Sequence, residues 1–215
     1  MEKLKVSINF KSDFSVGSGY GISGLLDNTV IKTNEGIPYI PGTTIKGVIR
    51  DACEEIARMY PNIKFPQKNK PDTLLNSPLS KIFGSSLRPA GFIFSSAYFK
   101  ISLNQFILMR DRIIGNETHN KIDEICGTAI EDHLFSYQTT GKNYSFDFSI
   151  EENPLNIDPI DEISQALLIA GILFVNHIGA KKTRGRGLCD LVLDEDSWYG
   201  KNINDYIDIL DKVAK

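Results

Sequence analysis

Four short stretches that alternate apolar and polar residues are separated by two stretches of helical spacing, and their order limits the folds open to this 215-residue chain. Residues 3–9 (KLKVSIN) alternate as a strand with one buried face; 91–99 (GFIFSSAYF), 144–150 (YSFDFSI) and 188–193 are the other strand candidates. Either Thr43 or Thr44 is a good N-cap for a helix running to about Met59. On that helix Ile45, Val48, Ile49, Ala52, Cys53, Ile56 and Ala57 form one stripe, with Lys46 and Arg50 at i and i+4 on the polar side. A second helix is expected over 160–175, with Ile163, Ala166, Leu167, Ala170, Gly171 and Phe174 sharing a face, and a short amphipathic helix over 202–213. Strand, helix, strand, insertion, strand, helix, strand is the βαββαβ order of an α+β, ferredoxin-like (RRM-like) core, an antiparallel sheet with helices on one face.

The remainder is less regular. Residues 61–79, rich in Pro, Lys and Asn, read as a loop, and 100–143 as an irregularly patterned insertion. No repeat or linker divides the chain, so one domain over 1–215 is expected: a core of about 1–60, 91–100 and 144–195, insertions of about 61–90 and 101–143, and the terminal helix. No apolar run approaches the roughly 20 residues that span a bilayer, and the first ten residues lack a signal-peptide core. A cytoplasmic protein with no membrane partner is expected. Cys53, Cys126 and Cys189 have no metal-ligand spacing and are expected to be reduced and mostly buried. The net charge of −3 excludes coating of a polyanion by overall charge; any phosphate binding needs cations gathered on one face.

Residues 178–187 (IGAKKTRGRG) supply such a gathering between the second helix and the last strand. Gly179, Gly185 and Gly187 permit positive φ and close approach of a ligand to the backbone. Lys181, Lys182, Arg184 and Arg186 supply charge, Thr183 a hydroxyl, and an arginine can fork two bonds onto one phosphate. A phosphate-binding P-loop is excluded, because no Gly-Lys-Ser/Thr follows and a strand, not a helix, comes next. A solvated basic loop remains the plain alternative. Residues 37–50 (IPYIPGTTIKGVIR) lead a Pro-Gly turn into a helix start bearing Thr43, Thr44, Lys46 and Arg50, a setting that favours anions but also suits an ordinary capped helix.

These segments carry a resemblance. IPYIPGTTIKGVIR resembles the Pro-Gly-Ser/Thr-Ser/Thr-aliphatic-Lys-Gly opening of the first helix in the RAMP superfamily, and IGAKKTRGRG is similar to its C-terminal glycine-rich loop. Between them, 119–138 holds Ile122, Asp123, Gly127, Thr128, Ala129, Leu134 and Phe135, which resembles a run in the Csm-type and Cmr-type backbone subunits of type III CRISPR effectors. The resemblance implies an RNA-binding subunit that forms a filament of its own copies along a CRISPR RNA, beside other effector subunits, with residues 110–143 as a thumb-like hairpin wedging into the guide–target duplex. It implies RNA contacts from Thr43, Thr44, Lys46, Arg50, His177 and the loop Gly179, Lys181, Lys182, Thr183, Arg184, Gly185, Arg186 and Gly187. It also places on Asp27 an aspartate needed to cut complementary target RNA. Cleavage would use Mg²⁺ or another divalent cation, not stably bound by the isolated chain, with no metal site of the protein's own. Without the resemblance, an aspartate before Asn28 is more often a turn-former than a catalytic group.

Two alternatives stay open: an RNA-binding assembly subunit without cleavage, and a CRISPR RNA-processing endoribonuclease using a histidine. Of His119, His133 and His177, none sits in a Ser/His/Asp pattern, and structural or RNA-contacting roles suit them. Phe92, Phe94, Tyr98, Tyr144 and Phe146 are core residues or base-stacking platforms on an open sheet face.

Overall fold

The computed structural model describes all residues except 1–2, 24, 68, 123–125, 157, 195 and 214–215, and describes the backbone alone at 121 and 131–133. It is an α+β fold. In chain order the strands are β1 (Lys3–Phe10), β2 (Tyr39–Ile40), β3 (Phe92–Phe94), β4 (Ala97–Phe99), β5 (Ile114–Ile122), β6 (Ala129–Thr140), β7 (Ser145–Glu152), β8 (Cys189–Leu193), β9 (Ser197–Trp198) and β10 (Lys201–Asn202). The helices are α1 (Gly42–Met59), α2 (Pro71–Asn76), α3 (Pro78–Phe83), α4 (Leu103–Ile113), α5 (Glu162–Phe174) and α6 (Ile203–Val213).

The main sheet is antiparallel, in the order β2-β4-β7-β1-β8, with β3 also on β7. Its register follows from the alternation of β1. Ile8 lies opposite Phe146 and Leu191, and Val6 opposite Phe148 and Leu193, so every second position enters the core. Leu4, Val6, Ile8, Phe10, Phe146 and Ile150 are almost fully buried. Burying a side chain of this size is worth about 1.5–3 kcal/mol each. Helices α1 and α5 cover this face and touch closely: Cys53 of α1 lies against Gly171 of α5, and its thiol donates to the Leu167 carbonyl at 3.3 Å. Burial pushes the Cys53 thiol well above its usual range. Among the described residues no helix is long and apolar enough to cross a membrane.

Several expectations change. The stripe on α1 is buried as read, but the N-cap is Pro41, whose carbonyl accepts from Thr44 N; Thr43 and Thr44 belong to the first turn. Helix α5 buries Ser164–Ile169 without a break, plus Gly171 and Ile172, because it is wedged between the sheet, α1, α3 and α6. Phe174, assigned to its apolar face, is 42% exposed. Residues 61–79 are not all loop, since they hold α2 and the start of α3. The strand expected over 91–99 breaks at Ser95–Ser96 into β3 and β4. Cys126 is exposed, unlike Cys53 and Cys189.

The other face of the sheet carries paired charge. Lys3 meets Glu151 at 2.7 Å, Lys100 meets Asp147 at 3.1 Å, Lys11 pairs with Asp190, and the Ser7 hydroxyl lies 2.9 Å from both Asp147 and Asp194 carboxylates. Phe92, Phe94 and Phe146 point into the core, and Tyr144 packs partly buried against it. Only Tyr98 of that group stands out on this side, stacked beside Tyr39.

Candidate nucleic-acid interface

The insertion between β4 and β7 builds one wall of a groove. Strands β5 and β6 form an antiparallel ribbon in which Glu117 opposes Tyr137, Thr118 opposes Ser136 and His119 opposes Phe135. A period of two therefore brings Glu117, His119, Phe135 and Tyr137 to one face. Two segments that follow β1 lie along β6. Phe14 pairs with Thr140, and the Ser15 hydroxyl donates to the Gln138 carbonyl at 3.0 Å. Further on, Asp27 N donates to the Ser136 carbonyl at 2.7 Å, Ser136 N donates to Asp27 Oδ2 at 2.7 Å, and Gln138 N donates to the Asn28 carbonyl. Asp27 is thus exposed but pinned through Oδ2, and among the described residues Oδ1 has no hydrogen-bond partner.

The glycine-rich loop builds the other wall. Its neck closes through Ile178 N to the Gly187 carbonyl at 2.9 Å. It docks on the segment after β1 through Ala180 N to Ser15 O and Gly187 N to Asp13 O, both 2.9 Å. Gly179, Gly185 and Gly187 all have positive φ, as does Lys181 at 64°, an uncommon conformation for a residue with a side chain. Between the walls is a groove of about 500 Å³ whose lining includes Asp27, Asn28, His119, Tyr137, Lys181 and Arg184.

A bonded cluster stands where the walls meet. Arg186 donates to Asp13 Oδ2 at 3.2 Å and to Glu117 Oε2. The same Glu117 oxygen accepts from the Tyr137 hydroxyl at 3.0 Å, and that hydroxyl lies 2.7 Å from His119 Nε2. The Lys181 ammonium caps the Tyr137 ring, 2.8 Å from its centroid. Burial would raise the Glu117 carboxyl, but hydrogen bonds from Tyr137 and Arg186 and the arginine's charge outweigh it, and the group is held below the usual range. Burial, then the bond to Glu117, raises the Tyr137 phenol. Burial, then the nearby Arg184 charge, lowers Lys181.

With this geometry in hand, relatives can be placed. The model of the RAMP superfamily matches residues 7–190. The chain belongs to the RAMP superfamily. It is similar to the CRISPR system Cms endoribonuclease Csm3 of Enterococcus italicus, 26% identical over 196 residues that span 87% of each chain. A chain in the apo type III-B Cmr-beta cryo-EM structure shares the fold with a TM-score of 0.62, at 12% identity over 90% of this chain and 98% of that one. A chain of type III-B Cmr-beta bound to cognate target RNA gives 0.62 at 17% identity, over 89% of this chain and 58% of that one.

In this RAMP protein the sequence candidates separate. Asp27, Lys181, Thr183 and Arg184 line the groove; Lys182 is exposed on the loop's 3-10 turn. Arg186 instead turns to Asp13 and Glu117. His177 is half-buried, its Nδ1 2.8 Å from Asn176 Oδ1, its backbone bridged to Leu188. Lys46 and Arg50 line a second groove, which Ser85, Ser86 and Arg88 share, and Arg50 is tied to Glu54 at 2.9 Å. Burial, then Arg50, lowers Lys46. Asp123 and the His133 side chain lie outside the described residues. Sequence reasoning missed Asn28, Ser136 and Tyr137 and gave His119 no site; the spacing of two in Glu117/His119 and Phe135/Tyr137 was the available signal. Among the described residues no group of three or more His, Cys, Asp or Glu is placed to hold a metal ion. Asp27 Oδ1, which has no partner among the described residues, suits the way Mg²⁺ is held by one or two carboxylates plus substrate phosphates.

Proposed function

We propose that this RAMP protein is an RNA-binding backbone subunit of a type III CRISPR effector and cuts bound target RNA through Asp27. What carries the reading is the meeting of Asp27, Lys181, Thr183 and Arg184 on one groove, although 27 and 181 are far apart in sequence. The relatives support it: one is named an endoribonuclease of a CRISPR system, and another belongs to an assembly bound to target RNA. The strand order β8-β1-β7-β3/β4 supports a ferredoxin-like, RRM-like core in a single RAMP domain, with the β5–β6 ribbon as the thumb. Copies of the chain would line a CRISPR RNA in the cytoplasm, beside other effector subunits.

The chain's own residues divide the work. Lys182 and Arg184, exposed and in no ion pair among the described residues, hold backbone phosphates, with Thr183 and the loop amides beside them. Thr43, Thr44, Lys46, Arg50 and His177 offer further contacts outside this groove. Asp27, fixed by Ser136 N, presents Oδ1 to the scissile linkage and orients the 2′-hydroxyl. A divalent cation, when bound, neutralises charge on the phosphate. Base sequence is read by guide–target pairing.

The test is the assembled complex carrying Asp27→Ala, given complementary RNA and Mg²⁺. Target cleavage should fall about 100-fold or more while target binding persists. Cleavage at the original rate would remove Asp27 from the mechanism and leave the non-catalytic assembly subunit.

A further inference from the structure

We propose that Arg186 is a positioning residue, not a phosphate ligand: it clamps the glycine-rich loop to the β5–β6 ribbon and so holds Tyr137 and His119 in the groove lining that they share with Asp27. The inference rests on the RNA-cleaving reading for its consequence, but its geometry stands apart from it.

Three observations carry it. First, Arg186 is committed. Its side chain is only 25% exposed and each of two nitrogens meets a carboxylate from a different segment, Asp13 after β1 and Glu117 on β5. Two carboxylates around one guanidinium leave a local charge of the wrong sign for a phosphate. Freeing the arginine would strand Glu117, which is 23% exposed and bonded to Tyr137. Second, the ties run onward to the groove lining. Glu117 Oε2 joins Arg186 to the Tyr137 hydroxyl, and that hydroxyl joins His119. Third, the same loop makes a second tie to the same ring, through the Lys181 ammonium on Tyr137. A lysine in place of Arg186 would offer one nitrogen where the guanidinium places two, one at each carboxylate. The loop cations therefore split into two that brace the wall, Lys181 and Arg186, and two that are exposed and in no ion pair among the described residues, Lys182 and Arg184.

Glu117→Gln tests this directly, since it leaves Arg186 in place on Asp13 and removes the charge of its second partner. A phosphate-binding Arg186 would then hold RNA more tightly and cleavage would not suffer. The clamp predicts that target cleavage in the assembled complex slows about 10-fold or more, that Arg186→Met slows it equally, and that the double variant is no slower than either. In the full chain bound to single-stranded RNA, Arg184→Ala should flatten the slope of log affinity against log salt by about 0.7, while Arg186→Met leaves it unchanged. Hydrogen exchange without RNA separates the two layers. Faster exchange at the Ala180 and Gly187 amides in both single variants supports the clamp even if no RNA binds, in which case the functional reading alone fails. Unchanged exchange, a flattened slope in Arg186→Met, or losses that multiply in the double variant would overturn the clamp.

Discussion

Gly187 has no room for a side chain, whereas Gly185, two residues earlier, has open space around it. Both sit at positive φ, 75° and 73°, so an added Cβ strains either backbone. At Gly187 the Cβ would also overlap the Ile178 carbonyl oxygen, which accepts no compromise because Ile178 and Gly187 close the loop's neck; at Gly185 nothing lies within 4 Å. Gly185→Ala should thus cost about 1–2 kcal/mol, and Gly187→Ala about 2–5 kcal/mol once the overlap is added. Urea denaturation with an unchanged m-value checks the difference; equal losses would mean the neck is not closed as described. Residue type made these glycines readable in the sequence. It did not separate Arg186 from Arg184, because their difference lies in Asp13 and Glu117, far away along the chain.

Helix α5 shows what an element can reveal. Asp161 is its N-cap, its Oδ1 accepting from Ser164 N at 2.8 Å, and its other oxygen pairs with Lys81 at the end of α3. Burial raises this carboxyl, but the bonds from Lys81 and Ser164 win and hold it low. A depressed folded value means stability present above the unfolded value of about 3.9 and lost as pH falls through the folded one. Asp161→Asn keeps an acceptor at the cap and loses the charge. It should cost about 1 kcal/mol at pH 7, kept small by solvent screening, and the gap from the parent should shrink below about pH 4. A gap constant with pH would contradict this. The elements β1, α1, β7 and β8 were legible because each has one clear period, and α5 because it is a long apolar run. Helix α4 was legible too: Ser102 and Gln105 form its capping box, a spacing visible in SLNQ but passed over in an irregular stretch. The face of α5 was not, because burial on nearly all sides erases the period.

Across the whole molecule, a chain of net charge −3 meets a polyanion by sorting its charges. Carboxylates and their lysines neutralise one another on the free sheet face, while Lys182 and Arg184 stand unpaired among the described residues beside the Asp27 groove. The sequence showed the basic loop and the candidate aspartate, but not that a ribbon from the insertion joins them, since that depends on β6 pairing with segments more than 100 residues earlier. The alternative of RNA lying on the sheet would use the exposed Tyr98 and the half-buried Tyr39 stacked beside it. The most direct measurement is ultraviolet crosslinking of RNA in the assembled complex, read by mass spectrometry of the joined peptides. Crosslinks should fall on peptides holding Phe135, Tyr137 and residues 181–184. Crosslinks concentrated at Tyr39 and Tyr98, with none on the ribbon or the loop, would contradict the account.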